Sequence, residues 1–345
     1  MQSFQLKRAD NVTQATELVG VRSGGTPEAT ATSTRFLAGG TTLLDLMKLD
    51  VERPQQVIDI HRLPLAQVVA TEDGGVLIGA TVRNADLANH PLIKARYAAL
   101  SQALLSGASA QLRNMATTGG NLMQRTRCVY FRDVASPCNK RMPGSGCPAI
   151  DGYNRNLAVL GTSDQCIATN PSDMNVALSA FEATIHVESA RGKRSIAIDD
   201  FFLLPGKTPQ NENVLASGEL ITHVTLPRPT PGNRSVYLKL RDRASYEFAL
   251  ASTAVVATVS AGRIESVRIA LGGVGVKPWR SREAEAILLG QAPGAAVFRA
   301  AAEAAVQSAQ PQSMNGFKIE LVKRCIEHTL DLTIDLTIDL TTQAT

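Results

Sequence analysis

The chain has 345 residues, of which 44% are hydrophobic and 19% are charged, and its formal net charge is +4. This length and composition are typical of a globular protein with two or three domains. Its longest apolar stretches fall far short of the roughly 20 residues that a membrane-spanning helix needs. Its lysines and arginines are scattered, whereas a nucleic-acid binder clusters them. We therefore expect neither a membrane span nor a nucleic-acid partner.

The first informative element is a glycine turn in FLAGGTTLLDLM, residues 36–47. The pattern predicts a short strand ending at Gly39 and Gly40, then a helix with Thr42 as N-cap and Asp45 three residues later. Backbone N–H groups at such a turn can hold an anion, because glycine has no Cβ and the helix start carries partial positive charge. The turn fits a pyrophosphate, although many Gly-Gly turns bind nothing.

A second glycine loop, TTGGN at 117–121, lies in the polar segment 107–121, which predicts irregular backbone. Two such loops favour a dinucleotide ligand. Neither loop fits the G-x-G-x-x-G fingerprint, and the run at 272–275 is followed neither by the last glycine of that fingerprint nor by a helix start. A nicotinamide site of the Rossmann type is therefore disfavoured.

Four of the five cysteines lie between residues 128 and 166, with the spacing C-x9-C-x8-C-x18-C. Four thiolates can ligate a 4Fe-4S cluster or a tetrahedral zinc ion, but the tight pairs usual in structural zinc sites are missing. Four unrelated reduced cysteines are a third interpretation. The segment has little periodicity and predicts a long insert without a core of its own. Positive charges close to the cysteines in sequence would offset an anionic cluster: Arg125, Arg127, Arg132, Lys140 and Arg141.

The remaining pattern predicts an α+β arrangement with a boundary at PRPTPGN, residues 227–233. Predicted strands lie at 57–60, 76–78, 183–187 and 220–226, a hairpin at 251–259 and 264–271, and helices at about 92–105, 281–289 and 295–309. The last stretch alternates apolar and polar residues through a DLTI repeat, which suits an edge strand or a poorly ordered tail. We predict a tail at 331–345. Cys325 lies in a helical pattern, and the five histidines show no metal-ligand spacing.

Six motifs in succession resemble the FAD-binding middle subunit of the molybdenum hydroxylases, the group of xanthine dehydrogenase and carbon monoxide dehydrogenase. They are LAGGTTLLDLMK (37–48), IGATVRNADLANH (78–90), QLRNMATTGGNL (111–122), NPSDMNVAL (170–178), GELITHVTLP (218–227) and YLKLRDRASYEFALAS (237–252). The cysteine insert resembles the subgroup of 4-hydroxybenzoyl-CoA reductase and, more closely, of the periplasmic aldehyde oxidoreductase. The resemblance covers the chain up to about residue 324.

This resemblance implies a two-part FAD-binding domain of the vanillyl-alcohol-oxidase/PCMH type over 1–226, with an iron-sulfur insert at about 124–166. A smaller α+β domain of the CO dehydrogenase flavoprotein type would follow over 234–330. The implied FAD-contacting residues are Leu37, Ala38, Gly39, Gly40, Thr41, Thr42, Leu43, Thr117, Thr118, Gly119, Gly120, Asn121, Asp173, Ile221 and Lys239. The implied ligands of a 4Fe-4S cluster are Cys128, Cys138, Cys147 and Cys166.

The resemblance also implies an electron-transfer flavoprotein subunit of a molybdenum-dependent aldehyde oxidoreductase. A large molybdenum-pterin subunit would oxidise the substrate, a small 2Fe-2S subunit would carry the electrons, and FAD on this chain would pass them to an external acceptor. The assembly would be a heterotrimer or its dimer. Residues 1–10 lack the features of an export signal, so we expect the cytoplasm or, by co-export with a partner, the periplasm. The alternative is a zinc-stapled, non-catalytic nucleotide-binding scaffold.

Overall fold

The computed structural model describes residues 1–19 and 34–342, with side chains as far as Asp335. Its first part contains a parallel sheet of strand order β1–β3–β2. In chain order the elements are β1 (Gln5–Arg8), α1 (Val12–Leu18), β2 (Thr34–Leu37), α2 (Leu43–Lys48) and β3 (Gln56–Asp59). The central strand buries Val57 and Ile58 completely. The first glycine turn leaves the carboxyl end of β2, an edge at which open parallel sheets commonly bind ligands.

The second part is an antiparallel sheet of strand order β4–β5–β8–β6–β7, whose buried side chains share one core with α3, α4, α5 and α9. The elements are β4 (Val68–Ala70), β5 (Val76–Gly79), α3 (Asn84–Asn89), α4 (Pro91–Arg96), α5 (Ala98–Ser106), α6 (Ala110–Arg113), α7 (Thr118–Leu122), α8 (Val129–Arg132), α9 (Asp173–Ala180), β6 (Thr184–Ser189), β7 (Gly192–Ala197), α10 (Ile198–Phe201) and β8 (Leu220–Leu226). The segment 107–121 is thus not wholly irregular, because it contains α6 and the start of α7.

The third part is an antiparallel sheet of order β12–β11–β10–β9. Its elements are β9 (Arg234–Leu240), β10 (Ala251–Ser260), β11 (Arg263–Gly272), β12 (Trp279–Arg280), α11 (Arg282–Leu288), α12 (Ala295–Ala305) and α13 (Phe317–Thr342). The predicted hairpin is confirmed, since β10 pairs with β11 and Ser260 faces Arg263 across the turn. Every side chain of β10 except the last is buried, as expected for a strand covered on both faces.

The segment 227–233 connects β8 to β9, yet the parts that it joins share a core. Tyr237 and Val256 of the third part belong to the same buried cluster as Tyr97 and Phe181, whose rings meet edge to face at 5.3 Å. The Tyr97 hydroxyl donates a hydrogen bond to the carbonyl of Pro227 at 2.8 Å. The predicted boundary is therefore a short connection between packed layers, and the shared core fixes one part against the other.

The predicted tail at 331–345 is wrong for residues 331–342, because α13 continues to Thr342. Leu330 and Ile334 are buried and pack in the core of the third part, while Leu332 is 38% exposed. A four-residue repeat places every fourth apolar residue on one face of a helix, so the DLTI pattern fits a helix as well as a strand.

Within the described residues, no helix is long and apolar enough to cross a membrane.

The expectation that the insert has no core is also wrong. A small buried cluster contains Cys128, Cys138 and Cys166 together with Phe131, Ile167 and other apolar residues of the insert. Leu46 of α2 packs in the same cluster. The cysteines themselves supply much of this apolar surface, because a reduced cysteine behaves as a small hydrophobic residue.

Candidate functional site

The first glycine turn joins β2 to α2 through a left-handed residue. Gly40 has φ +73°, a conformation that glycine adopts without steric strain. The Leu44 N–H donates to the Gly40 carbonyl at 3.0 Å, so the helix ladder starts there. The N–H groups at the start of α2 have no partner within the helix and are donors for an anion. Thr42 is the N-cap by position, but its side chain makes no capping hydrogen bond.

The second glycine loop forms the start of α7, and its backbone N–H groups are used within the protein. The N–H of Thr118 donates to the Val82 carbonyl at 2.9 Å, and that of Gly119 to the Ala80 carbonyl at 2.8 Å. Thr117 caps the helix, because its hydroxyl accepts from the Gly120 N–H at 3.3 Å and its carbonyl from the Asn121 N–H at 2.8 Å. This loop therefore offers a ligand its shape and side chains rather than free N–H groups.

Gly39 of the first glycine turn packs against the backbone of residues 115–116, which leads directly into the second glycine loop. A Cβ added there would lie 1.9 Å from the carbonyl oxygen of Met115 and 3.2 Å from the Cα of Ala116. Only glycine allows this approach, because every other side chain would collide with the backbone. The sequence placed the loops some 80 residues apart, and the structure brings them together.

Asp173, Tyr237 and Lys239 form a buried polar group next to the second loop. The Asp173 carboxylate accepts from the Tyr237 hydroxyl at 2.5 Å and from the Lys239 ammonium at 2.8 Å. The Lys239 side chain is 3% exposed, and its ammonium also donates to the Ser106 carbonyl at 3.2 Å. Burial, and then the nearby Asp173 charge, raise the pKa of Tyr237 well above its usual value. Lys239 is therefore the buried ion-pair partner of Asp173.

Hydrogen bonds connect this group to the second glycine loop. The Ser172 hydroxyl donates to the side-chain oxygen of Asn121 at 2.7 Å, and the same hydroxyl accepts from the Asn175 N–H at the start of α9. Ile221 is buried on β8, and the next residue, Thr222, accepts from the Ala80 N–H at 2.8 Å. The structure thus brings the first loop, the second loop, Asp173, Ile221 and Lys239 into one connected region.

A cavity of about 210 Å³ opens beside Asp173. Its walls come from the start of the insert, from the segment after the last cysteine, from the loop following β9 and from the end of β11. The sequence singled out Arg127, Cys128 and Asp173 among its lining residues, but it gave Phe248 and Gly272 no role in a site. Arg127 stacks on the Phe248 ring at 5.1 Å. The one signal for Phe248 in the sequence was an aromatic residue in the motif YEFALAS, because aromatic side chains are common in the walls of ligand sites.

The four clustered cysteines line a second, smaller cavity. Cys128 is shared, since it also lines the cavity beside Asp173. Cys128, Cys138 and Cys166 are buried and Cys147 is partly exposed. Four cysteines that are spread over 39 residues of the chain therefore lie around one cavity.

Backbone N–H groups face three of these sulfur atoms. The N–H of Ala168 donates to the Cys166 sulfur at 3.5 Å, the N–H groups of Tyr130 and Phe131 face Cys128, and Cys147 has similar donors. Such donors stabilise thiolates and are usual around iron-sulfur clusters. Burial, on the other hand, raises the pKa of the Cys128 thiol to about 11 and also raises those of Cys147 and Cys166. The pocket therefore suits thiolates only when a positive centre compensates for burial.

The positive side chains around the insert act mainly as anchors. The Arg125 guanidinium bonds Glu52 at 2.6 Å and Glu212 at 2.5 Å. Arg141 donates to backbone carbonyls, among them that of Phe131 at 2.7 Å. Lys140 also pairs with Glu212 at 3.1 Å, but in addition it lines the cysteine cavity, and its charge lowers the pKa of Cys166, opposing the larger effect of burial.

Within the described ranges, no group of three or more His, Cys, Asp or Glu side chains is placed to hold a metal ion. A tetrahedral zinc ion needs four sulfurs about 2.3 Å from one centre, whereas a 4Fe-4S cluster places its own irons and sulfides between its ligands. The four cysteines thus share a cavity without forming a mononuclear site. Cys325 is elsewhere, buried on α13 with its sulfur 4.0 Å from the Leu238 carbonyl.

Comparison with known proteins identifies relatives of both parts of the chain. Residues 2–229 match the FAD binding domain in molybdopterin dehydrogenase, and residues 236–330 match the CO dehydrogenase flavoprotein C-terminal domain. The aldehyde oxidoreductase FAD-binding subunit PaoB of Escherichia coli is 51% identical over 86% of this chain and 90% of its own. The glyceraldehyde dehydrogenase medium chain of Sulfolobus acidocaldarius is 32% identical over 75% of this chain and 74% of its own.

The fold has a counterpart among solved structures. Carbon monoxide dehydrogenase from Hydrogenophaga pseudoflava superimposes with a TM-score of 0.75 at 26% identity, covering 97% of this chain and 98% of the matched one. The order of the two domains and the similarity over nearly the whole length agree with the six motifs. The chain therefore belongs to the FAD-binding subunits of the molybdenum hydroxylase family.

Proposed function

We propose that this chain binds FAD across its two glycine loops and is the electron-transfer flavoprotein subunit of a molybdenum-dependent aldehyde oxidoreductase. The contact of Gly39 with the Met115 carbonyl carries the proposal, because it joins two small-residue loops into one cradle beside the start of α2. Identity of 51% to an aldehyde oxidoreductase FAD-binding subunit supports the substrate class.

In this proposal each of the two loops makes a different kind of contact with the dinucleotide. The first loop, Leu37 to Leu43, supplies N–H groups to the pyrophosphate, while the second, Thr117 to Asn121, supplies a close-fitting wall. Asp173, Ile221 and Lys239 support the part of the site nearest the flavin ring, and their fixed geometry keeps that wall rigid. FAD, when bound, supplies the ability to accept electrons in pairs and to release them singly.

We further propose that Cys128, Cys138, Cys147 and Cys166 hold a 4Fe-4S cluster. Convergence of four sulfurs on one cavity supports it, as do the N–H donors facing the sulfurs. Cys128 lines both this cavity and the one beside Asp173. The two cavities therefore adjoin at that residue.

The partners in this proposal are a large molybdenum-pterin subunit, a small 2Fe-2S subunit and an external electron acceptor, in a heterotrimer or its dimer. The names of the relatives support this, since several are medium chains or FAD-binding subunits. The substrate would be oxidised on the large subunit, and FAD here would collect the electrons.

Anaerobic reduction of the complex tests the proposed function. The chain is co-expressed with its partner subunits, and the purified complex is mixed with an aromatic or aliphatic aldehyde while the visible spectrum is recorded. We expect the flavin absorption to bleach with aldehyde and to return when an artificial acceptor is added. A complex that oxidises aldehyde while its flavin stays oxidised, or a chain that purifies without flavin, would contradict the proposal.

A further inference from the structure

The helix that follows the first glycine loop is attached to the cysteine insert. The Asp45 carboxylate, in the first turn of α2, accepts from Arg132 at 2.8 Å and from Arg127 at 3.1 Å through the same oxygen. One residue further along α2, Leu46 is 2% exposed and packs in the buried cluster that contains Cys128 and Phe131. Neighbouring residues of one short helix therefore make a polar and an apolar contact with the insert.

Both arginines depend on Cys128 for their position. Arg127 is the preceding residue, and Arg132 ends α8, whose last N–H donates to the Cys128 carbonyl at 3.1 Å. A ligand that fixes the sulfur of Cys128 also fixes the backbone on either side of it. The guanidinium groups that meet Asp45 are thus held in place when the four cysteines share a common ligand.

We propose that Asp45 is a positioning residue that couples occupancy of the cysteine cavity to the affinity of the first glycine loop for FAD. The inference takes its two ligands, FAD and the iron-sulfur cluster, from the proposed function. What it adds is the coupling between their two sites. A loaded cysteine cavity holds Arg127 and Arg132, these hold α2 through Asp45, and α2 sets the geometry of residues 40–43. Because coupling between two binding sites is reciprocal, bound FAD should also protect the cluster from loss.

The size of the coupling follows from the exposure of the contacts. Asp45 is 37% exposed, and Arg127 and Arg132 are 30% and 22% exposed, so each ion pair contributes modestly. We expect FAD to bind about fivefold more tightly to the cluster-loaded chain than to the cluster-free chain, at the lower end of the usual range for coupled sites. Leu46 adds a contact that does not depend on charge, so neutralising Asp45 should reduce this ratio without abolishing FAD binding.

The test is a thermodynamic cycle on the full chain. FAD is removed from the wild type, from Asp45→Asn and from Asp45→Glu, and each is titrated with FAD while the flavin fluorescence is followed. Each protein is used with its iron intact and after removal of iron by a chelator under reducing conditions, and Cys138→Ser serves as a second cluster-free form. Glu320→Gln is the matched control, because among the residues with described side chains Glu320 makes ion pairs only with Lys323 and Arg324 on the exposed face of α13.

The expected result is a ratio of FAD dissociation constants of about five in the wild type and in Glu320→Gln, falling to about two or less in Asp45→Asn. Asp45→Glu should recover most of the ratio, because it keeps the charge that the arginines bind. A general loss of stability would weaken FAD binding equally in loaded and stripped protein and would leave the ratio unchanged. The ratio therefore separates coupling from damage to the fold.

Equal FAD affinity in the loaded and stripped wild type would overturn the coupling. A ratio that is the same in Asp45→Asn as in the wild type would overturn the assignment to Asp45. Failure of the proposed function looks different, since the wild type would then bind no FAD or would hold no iron and acid-labile sulfide from the start.

Discussion

At the scale of single residues, the proposed flavin cradle depends on a glycine with no room for a side chain. Gly39 lies against the Met115 carbonyl, where an added Cβ would be only 1.9 Å from the oxygen. Gly40 is constrained differently, because its φ of +73° disfavours other residues and its added Cβ would meet the Leu44 and Leu37 side chains. The sequence indicated that both glycines matter, but only the structure shows that Gly39 holds the two loops together.

We expect Gly39→Ala to lower FAD affinity at least tenfold while the chain still folds, because the methyl group must push the loops apart at the edge of the sheet. Equilibrium dialysis of the flavin-free protein against FAD measures the effect. Gly294→Ala is the control, since its added Cβ would meet no atom within 4 Å. Unchanged affinity in Gly39→Ala would mean that the loops do not form the FAD cradle.

The cysteines separate into two kinds by their surroundings. We expect Cys138→Ser to remove most of the iron, because a poorly ionised oxygen replaces a thiolate in a four-ligand site. Cys325→Ser should keep its iron, because Cys325 lies on α13 and is absent from the walls of the cysteine cavity. Iron and acid-labile sulfide assays compare the two variants. Full iron content in both would show that the ligand set is wrong.

At the scale of elements, regular periodicity predicted most of the central strands and left the ends of the chain ambiguous. The strand at 220–226 and the hairpin after residue 250 were predictable, because β-branched residues alternate between clear turns. The structure of the C-terminal repeat was not predictable, because a repeat of four residues is compatible with the alternation of a strand and also with one apolar face of a helix. The core of the insert was missed because its cysteines were counted as ligands and not as buried apolar side chains.

The helical assignment of the C-terminus predicts which leucines and isoleucines matter. Ile334→Ala should lower the free energy of unfolding by about 2–4 kcal/mol, because it leaves a cavity at a buried position. Leu332→Ala should change it by less than about 1 kcal/mol, since Leu332 is 38% exposed. Urea unfolding measures both. Similar losses for the two variants would favour a strand, in which both side chains point the same way.

At the scale of the whole molecule, a buried lysine joins three distant segments. The Lys318 ammonium, at the start of α13, donates to the Leu157 carbonyl at 3.1 Å and to the Gly273 carbonyl at 2.6 Å. Its side chain is buried, and burial lowers its pKa to about 7. No sequence pattern singled out Lys318, because its role depends on contacts with residues 45 or more positions away.

This lysine predicts a rise in stability with pH. Between about pH 7 and pH 10 the unfolded chain binds the Lys318 proton more tightly than the folded chain does, so the free energy of unfolding should increase with pH in that window. The contribution is isolated by comparing the wild type with Lys318→Met in urea at about pH 7 and about pH 9. The wild type should gain stability relative to the variant at the higher pH. Parallel pH dependence in the two proteins would contradict the low pKa.

Cofactor analysis of the purified protein shows whether this one chain holds both a flavin and an iron-sulfur cluster, as we propose. We expect about one FAD, released by acid precipitation, together with about four irons and four acid-labile sulfides per chain. Release by acid is expected because neither glycine loop contains a His or Cys that could bond the flavin covalently. A colourless chain that contains zinc, and neither flavin nor acid-labile sulfide, would contradict both the proposed FAD site and the proposed iron-sulfur cluster.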